Sequence, residues 1–150
     1  QLAIFTLTTL FAFSLSASAA PEGKSAAAWE TDFAKATARA KKEKKPMLVD
    51  FTGSDWCHWC IKLKEEVFSQ KEFQTYADKN LVLVELDFPR RKKLDAATKA
   101  QNDKLAEKYG IKGFPTVLLI DGSGKVLART GYKAGGADGY VKHLQSLLKG

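Results

Sequence analysis

The stretch 47–68 constrains the fold of this chain more than any other, because it joins a strand to a helix through two cysteines. Its apolar start, Met47–Thr52, predicts a buried strand, and 61–68 predicts a helix. The helix residues available for burial are Ile61, Leu63, Val67 and Phe68. Cys57 and Cys60, which are the chain's two cysteines, lie at the junction. Thiols at this spacing can close a small disulfide ring and open it again. At a helix start, Cys57 is expected to meet free backbone N–H groups, which favour a thiolate over a thiol.

Other roles for the cysteine pair must be weighed. A static structural disulfide restricts the unfolded chain very little, because the loop between Cys57 and Cys60 is short. A zinc site needs His58 and His143 as further ligands, and His58 is too close in sequence to join both thiols comfortably. Attachment of c-type haem requires a histidine directly after the second cysteine, where Ile61 stands, so that role is excluded. A redox role is favoured, and the first two alternatives stay open.

Residues 1–20 predict an export signal, because they carry no charged side chain and 2–15 is apolar with interspersed Ser and Thr. Ala17-Ser18-Ala19 offers the small-x-small pattern of a signal peptidase site. The basic n-region and initiator Met of such a signal are absent from the sequence. An uncleaved anchor is the alternative, but a stretch this short and rich in Ser and Thr is marginal for spanning a bilayer. We expect a cleaved, N-terminally incomplete signal peptide over 1–20 and a single domain over 21–150.

The net charge of +7 falls after the leader and is concentrated at 39–45 and 90–93. Such runs are more often solvated helix faces or loop edges than nucleic-acid sites, and no aromatic residues interleave with them. We therefore expect no nucleic-acid partner. Export places the thiols where disulfides persist, so a lone cysteine pair there is better explained as a reagent for the disulfides of other proteins.

The remaining pattern predicts an α/β fold in which strands and helices alternate before a hairpin and a last helix. Before the cysteines we expect a helix at 26–44, with Trp29 as a core anchor and Pro46 at its end. After them we expect a capping box from Ser69 to Glu72, a strand at 81–86 within a parallel sheet and a helix at 94–109 closed by Gly110. The last expected elements are strands at 116–120 and 126–130 around the turn 121–124, and a helix at 137–149.

Asp50 interrupts the apolar strand that leads to the cysteines. An unpaired buried carboxylate is costly and tends to stay protonated near neutral pH. The sequence leaves two interpretations open. Asp50 is either a solvated or turn-capping residue, or a proton acceptor beneath Cys57 and Cys60.

Three signals resemble the thioredoxin superfamily over about 47–148: Val49-Asp50-Phe51 in a strand, Trp56-Cys57-x-x-Cys60 at a helix start, and the run 110–116 before the next strand. The resemblance implies a thioredoxin-like fold with a central mixed β-sheet flanked by helices. The segments 51–57, 87–89 and 130–132 are similar to exported bacterial DsbH-type thiol:disulfide oxidoreductases, a group regarded as reductants of periplasmic disulfides.

The resemblance implies dithiol–disulfide exchange, in which an exposed Cys57 attacks a substrate disulfide and a buried Cys60 resolves the mixed disulfide. It implies a cis bond between Phe114 and Pro115 and pairing of the Phe114 backbone with a substrate strand. It also places Leu83 where thioredoxin has the lysine that accompanies its buried aspartate.

The residues around the cysteines have further expected roles. Trp56 and Trp59 flank the thiols and help a peptide to dock, although Trp59 is equally explained by local packing. His58 stabilises the thiolate when protonated or is an exposed spacer.

The expected partners are disulfide-containing exported proteins and, by the resemblance, a membrane-bound dithiol electron donor. We expect a periplasmic monomer without cofactor or metal. A disulfide oxidase or isomerase would use the same residues with the opposite resting state. A copper chaperone using Cys57, His58 and Cys60 is the alternative that is not an enzyme.

Overall fold

The computed structural model describes residues 27–150, in which strands form one mixed sheet between two layers of helices. In chain order the elements are β1 Trp29–Glu30, α1 Phe33–Glu43, β2 Met47–Thr52, α2 His58–Leu63, a π-helical turn Lys64–Phe68, α3 Lys71–Asn80, β3 Val82–Asp87, α4 Ala96–Lys108, β4 Thr116–Ile120, β5 Val126–Thr130 and α5 Gly136–Lys149. The strand order across the sheet is β1-β3-β2-β4-β5. The predicted central mixed sheet flanked by helices is confirmed.

Strand β3 lies between β1 and β2 and is parallel to both. Its residues are buried except Glu85, which is half-buried. This confirms the predicted strand in the parallel part of the sheet, since an apolar run suits a strand that is covered on both faces. Strand β4 is antiparallel to β2 and to β5, which places the hairpin at the other edge of the sheet.

Strand β2 alternates its side chains between two apolar cores. Met47, Val49 and Phe51 pack on the side of α1 and α4. Leu48 points to the opposite side, which is covered by α3, α5 and the π-helical turn. Asp50 shares the face of Leu48, so the carboxyl enters the layer that also carries α2. The sheet thereby delivers one acidic side chain to the region beneath the cysteines.

The predicted helix at 26–44 is wrong for residues 27–32, which precede the observed helix. Asp32 caps α1, because its Oδ1 accepts the N–H of Lys35 at 3.0 Å, so the helix begins at Phe33. Trp29 lies instead in β1, opposite Leu83. Its ring centroid is 5.0 Å from that of Phe68, so it does pack against the core, but from a strand at the sheet edge.

The segment after α2 differs from the predicted helix and capping box. Residues 64–68 form a π-helical turn, and the N–H of Ser69 closes it on the carbonyl of Lys64 at 2.8 Å. Ser69 is therefore not the cap of α3, which begins after Gln70 without a side-chain cap. Ile61 is 37% exposed, contrary to its expected burial, whereas the other three predicted helix residues are buried.

The C-terminal half follows the sequence prediction closely. Both strands of the hairpin have the predicted bounds. Asp121 holds the turn, because its Oδ1 accepts the N–H groups of Ser123 and Lys125 at 2.8 and 3.0 Å. Helix α4 is followed by Gly110, whose φ of 61° is in the region that glycine adopts without strain.

The predicted signal peptide, 1–20, lies outside the described residues. Among the helices between residues 27 and 150, none is long and apolar enough to cross a membrane.

Candidate active site

Cys57 is the N-cap residue of α2 and forms a disulfide with Cys60, their Cα atoms lying 5.2 Å apart. The Cys57 Sγ accepts the backbone N–H of Cys60 at 3.2 Å. The chain reaches this position through a turn in which the Cys57 N–H donates to the Gly53 carbonyl at 2.9 Å. The first sulfur therefore faces the N–H groups that the helix leaves unpaired at its start, as the sequence predicted.

The expected contrast in exposure between the two cysteines is not present in the disulfide form. Cys57 is 6% exposed and Cys60 is 3% exposed. The Sγ of Cys60 accepts the N–H of Gly53 at 3.4 Å, so Gly53 contacts both ends of the pair through its backbone. Gly53 was not singled out from the sequence.

The two tryptophans beside the disulfide have different surroundings. The Trp56 Nε1–H donates to the Phe88 carbonyl at 2.8 Å, and the indole meets the Phe114 ring edge-on with centroids 5.8 Å apart. Trp59 is 50% exposed and has its ring centroid 5.0 Å from that of Tyr132. Trp56 is thus fixed by its neighbours, whereas half of Trp59 offers apolar surface to solvent.

His58 is exposed at the first position of α2. Its ring centroid lies 5.4 Å from that of Trp59 in an edge-on arrangement. Among residues 27–150, no carboxylate lies within ion-pair distance of its ring.

The bond between Phe114 and Pro115 is cis, as predicted. Both residues are half-buried. The Phe114 ring lies between Trp56 and Phe88, with centroid separations of 5.8 and 5.1 Å. The loop before β4 and the loop before α2 therefore meet at one end of the sheet, which brings Phe114 and Pro115 to the same face as the cysteines.

Asp50 is 5% exposed within β2, so the interpretation as a solvated or turn-capping residue is wrong. Burial raises the pKa of the Asp50 carboxyl from 3.8 to about 8, and the neighbouring charges of Glu85 and Asp87 raise it while that of Lys64 lowers it. Its Oδ1 has no hydrogen-bond partner among the described residues. The carboxyl is therefore protonated over most of the neutral range.

Asp50 and Cys60 line one cavity of about 300 Å³, with Thr52, Lys64 and Glu85 also in its wall. The cavity connects the layer beneath the cysteines with the acidic side chain of β2. The two groups that the sequence placed in one site are thus brought to a common space, which has room and polar partners for water.

Glu85, and not Leu83, occupies the position opposite Asp50. Leu83 lies opposite Leu48 in the apolar core. The position assigned by the resemblance as the neighbour of Asp50 is therefore wrong by two residues along β3. Lys64 approaches Glu85 at 3.9 Å from the π-helical turn. The position opposite Asp50 therefore carries a carboxyl with a lysine partner.

A loop that the sequence analysis did not connect to the site packs directly against it. The Asp55 carboxylate accepts the backbone N–H groups of Arg90, Arg91 and Lys92 at 2.9, 2.8 and 3.0 Å. These bonds, among which that of Arg90 has the largest effect, lower the pKa of Asp55 to about 2. The carboxylate consequently stays ionised and keeps the loop 88–93 beside Trp56 at any ordinary pH.

Asp87 makes a second attachment for this loop. Its side chain accepts the N–H and the hydroxyl of Ser54 at 2.9 and 2.6 Å and pairs with Lys92 at 2.8 Å. Asn102 of α4, which is 2% exposed, donates from Nδ2 to the Asp87 carbonyl at 2.9 Å. The loop before the cysteines is therefore fixed to β3 and, through it, to α4.

The described residues do not assemble the metal sites considered above. Between residues 27 and 150, no group of three or more His, Cys, Asp or Glu side chains is placed to hold a metal ion. The Nε2 of His143 lies 2.9 Å from the Thr130 hydroxyl, on the side of α5. The zinc alternative, which needs His143 beside the cysteines, gains no support from this geometry.

Comparison with known proteins agrees with this geometry. The family model described as a thioredoxin-like domain matches residues 33–144. The disulfide bond reductase DsbH of Chlamydia pneumoniae is 40% identical over 121 residues, which are 81% of this chain and 72% of that protein. The thioredoxin-related protein DsbJ of Chlamydia pneumoniae is 29% identical over 103 residues, which are 69% of this chain and 30% of that protein.

Among solved structures, that of a DsbH oxidoreductase superposes with a TM-score of 0.78 at 38% sequence identity. The superposition covers 87% of this chain and 96% of that chain. These matches confirm the predicted thioredoxin-like fold.

Proposed function

Because the chain belongs to the thioredoxin-like family and is a DsbH-like thiol:disulfide oxidoreductase, we propose that it acts mainly as a reductase of disulfides in exported proteins. The reducing direction is supported by the likeness to the disulfide bond reductase DsbH. The observation that carries the exchange chemistry is the position of the Cys57 sulfur, which accepts the N–H of Cys60 at the start of α2. A thiolate at Cys57 would keep this hydrogen bond, which stabilises the charged form.

The reaction begins with the protein in its dithiol form. The Cys57 thiolate attacks one sulfur of a substrate disulfide, and the first substrate sulfur leaves as a thiolate and takes up a proton. Cys60 then loses its proton and attacks the Cys57 sulfur, which re-forms the protein disulfide. The second substrate sulfur leaves as a thiolate and takes up a proton. Two electrons and two protons have passed from the protein dithiol to the substrate.

Asp50 is the proton acceptor for Cys60 in this scheme. The carboxyl and the sulfur share one cavity, so the proton of the Cys60 thiol can pass to the carboxylate directly or through a water molecule. With a pKa of about 8, the carboxyl is ionised in a minority of molecules at pH 7, and this ionised form accepts the proton. A pKa close to the operating pH suits a group that must both take up and release a proton.

Substrate docking is assigned to the surface around the disulfide. Trp59 offers exposed aromatic area, and the Phe114 backbone, beside Pro115, offers hydrogen-bonding groups to an extended substrate strand. Trp56 supports this surface from below, since it packs against Phe114. His58, exposed next to Trp59, adds a polar contact and, when protonated, a charge that favours the thiolate.

The proposed setting is the periplasm, reached through the signal peptide expected at 1–20. The electron donor that restores the dithiol is a membrane-bound dithiol protein, and the protein acts as a monomer on disulfide-containing exported proteins. The DsbH-like and DsbJ-like relationships support a place in a disulfide relay.

The experiment that tests this function is the reduction of insulin in the presence of dithiothreitol, followed as turbidity. The wild-type chain should accelerate the reaction, and Cys57→Ser should abolish the acceleration. Reduced Cys60→Ser, incubated with substrate after removal of dithiothreitol, should accumulate a mixed disulfide between Cys57 and substrate, visible on non-reducing gels. Acceleration by Cys57→Ser close to the wild-type rate would show that the nucleophile is assigned wrongly.

A further inference from the structure

The side chain of Arg90 lies over the ring of Trp56, the residue that precedes the reactive cysteine. Its Cζ is 3.7 Å from the centroid of the Trp56 ring, a cation–π distance. The backbone N–H of Arg90 is held separately by the Asp55 carboxylate at 2.9 Å. The guanidinium is therefore placed beside the cysteine pair by two independent contacts, and the residue remains exposed.

Arg90 belongs to a run of cations on one loop, most of which make no ion pair with the described residues. Lys92 pairs with Asp87 at 2.8 Å. Within the described part of the chain, none of the ion pairs involves Arg90, Arg91 or Lys93, and all three are exposed. We call these three residues the cationic rim.

The acidic groups near the rim cancel only part of its charge. The Asp55 carboxylate accepts three backbone N–H groups of the loop, and its charge also attracts that of Arg91. Asp87 is 6% exposed and is paired with Lys92 and Ser54. Next to Trp59, Lys62 stands 5.3 Å from the ring centroid and pairs with Glu66 at 3.6 Å, so its charge is neutralised there. The cationic rim thus keeps a net positive charge beside Trp56.

We propose that the cationic rim selects substrates in which acidic residues flank the disulfide, so that an Asp or Glu side chain pairs with Arg90 while Cys57 attacks. This inference rests on the proposed reductase function and adds a substrate class to it. A carboxylate suits the planar guanidinium, whose outward N–H groups can donate to two oxygens at once. Complementary charge also raises the rate of encounter, by roughly 10-fold or more at low ionic strength.

The surroundings of Arg90 favour a protein segment over a nucleic acid or a membrane. Base stacking would need the Trp56 face, which Arg90 already covers from one side while Phe114 meets the ring edge-on. The rim also borders the one disulfide of the described residues, where the attacked bond must come within reach of Cys57. A charge at this place acts on whatever segment carries the substrate cysteines.

The test measures single-turnover reduction by the pre-reduced full chain, freed of reductant. The substrates are three synthetic peptides with one intramolecular disulfide, identical except for Asp, Asn or Lys on both sides of each cysteine. Each rate is divided by that of the same peptide at the same salt concentration with tris(hydroxypropyl)phosphine, a reductant whose attacking form is uncharged, which removes differences in the reactivity of the disulfides themselves. The variants are Arg90→Gln, Arg90→Lys and, as a charge-matched control on exposed α5 surface, Lys142→Gln.

For the wild type we expect the normalised rate with the Asp peptide to exceed that with the Lys peptide by about 10-fold at about 10 mM salt and to converge with it at about 500 mM, because salt screens the attraction. Arg90→Gln should reduce this ratio about 3-fold or more, Arg90→Lys less, and Lys142→Gln not at all.

Equal normalised rates for the three peptides with the wild type would overturn the inference and leave the proposed function standing. Reduction of none of the peptides would overturn the proposed function itself. The salt dependence of the Asp-to-Lys rate ratio is measured on the wild type alone, so this part of the test does not require any variant to fold. Equal peptide rates together with Arg90-dependent binding to vesicles of phosphatidylserine and phosphatidylcholine would assign the rim to a membrane surface and contradict the proposal.

Discussion

Asp50 stands directly opposite Glu85 across the parallel pair of β2 and β3, with both side chains on the face that carries α2. Glu85 has Lys64 at 3.9 Å, whereas no ion pair of the described residues includes Asp50. The repulsion by Glu85 adds to the effect of burial and keeps a proton on Asp50. The protein therefore holds a titratable group with a pKa of about 8 in the cavity that Cys60 also lines.

The first prediction concerns Asp50→Asn and the pH dependence of stability in the disulfide form. Below about pH 4 the carboxyl is protonated in both folded and unfolded states, and between about pH 4 and 8 it is ionised only in the unfolded state. The wild type therefore loses stability as pH rises through this window, by at most about 1.4 kcal/mol per pH unit, and the loss levels off above pH 8. The Asn variant should lack this slope.

Urea unfolding at several pH values measures the effect, with Asp78→Asn at an exposed position of α3 as the control. The stability of Asp50→Asn relative to wild type should grow from pH 4 to pH 8, while the control runs parallel to wild type. Parallel curves for Asp50→Asn and wild type would contradict the raised pKa.

The second prediction concerns Gly53, which lies against the Trp56 indole. A β-carbon at position 53 would stand 2.5 Å from Cε2 of that ring, and the ring cannot yield freely because Phe88 and Arg90 hold it. Gly53→Ala should move the indole, change the tryptophan fluorescence and lower stability by about 1–3 kcal/mol.

The control for Gly53 is Gly139→Ala on α5, where an added β-carbon has no atom within 4 Å. This change should be neutral or stabilise by up to about 1 kcal/mol, since alanine favours a helix. Unchanged fluorescence and stability in Gly53→Ala would mean that the ring is not confined as described.

The third prediction concerns Asn102, a buried residue of α4 whose Nδ2 donates to the Asp87 carbonyl. Asn102→Ala leaves that carbonyl without this partner and should cost about 1–3 kcal/mol. Because Asp87 also holds Ser54 before the cysteines, insulin reduction should slow as well. The exposed Asn80→Ala serves as control in urea unfolding, and equal midpoints for the two variants would refute the structural role of Asn102.

Much of the fold follows from local sequence patterns. The apolar run of β2, the two strands around the Asp121 turn and the cysteine-headed helix each have a periodicity or a turn signal confined to neighbouring residues. The strand position of Trp29 was not predicted, because β1 has two residues and is too short to show alternation. The spacing of the neighbouring apolar residues favoured a helix instead.

The parts of the site that could not be predicted depend on residues far apart in sequence. Pairing of Asp50 with Glu85 is a question of register between parallel strands, and an apolar run such as β3 leaves that register open. Attachment of Asp55 to the N–H groups of Arg90, Arg91 and Lys92 spans about 35 residues and uses backbone donors that every residue has. Only the basic composition of the loop was visible, and it carried no information on where the loop packs.

The equilibrium redox potential of the Cys57–Cys60 pair tests the reductase function most directly. The potential can be measured in glutathione buffers from the change in tryptophan fluorescence, since Trp56 and Trp59 lie beside the disulfide. Thioredoxin and the oxidase DsbA lie at roughly −270 and −120 mV, a gap of about 7 kcal/mol for a two-electron couple. We expect a value on the thioredoxin side of the midpoint, because His58 is exposed and its charge is screened by solvent. A value near that of DsbA, with efficient oxidation of reduced unfolded substrates, would contradict the reductase function and establish an oxidase instead.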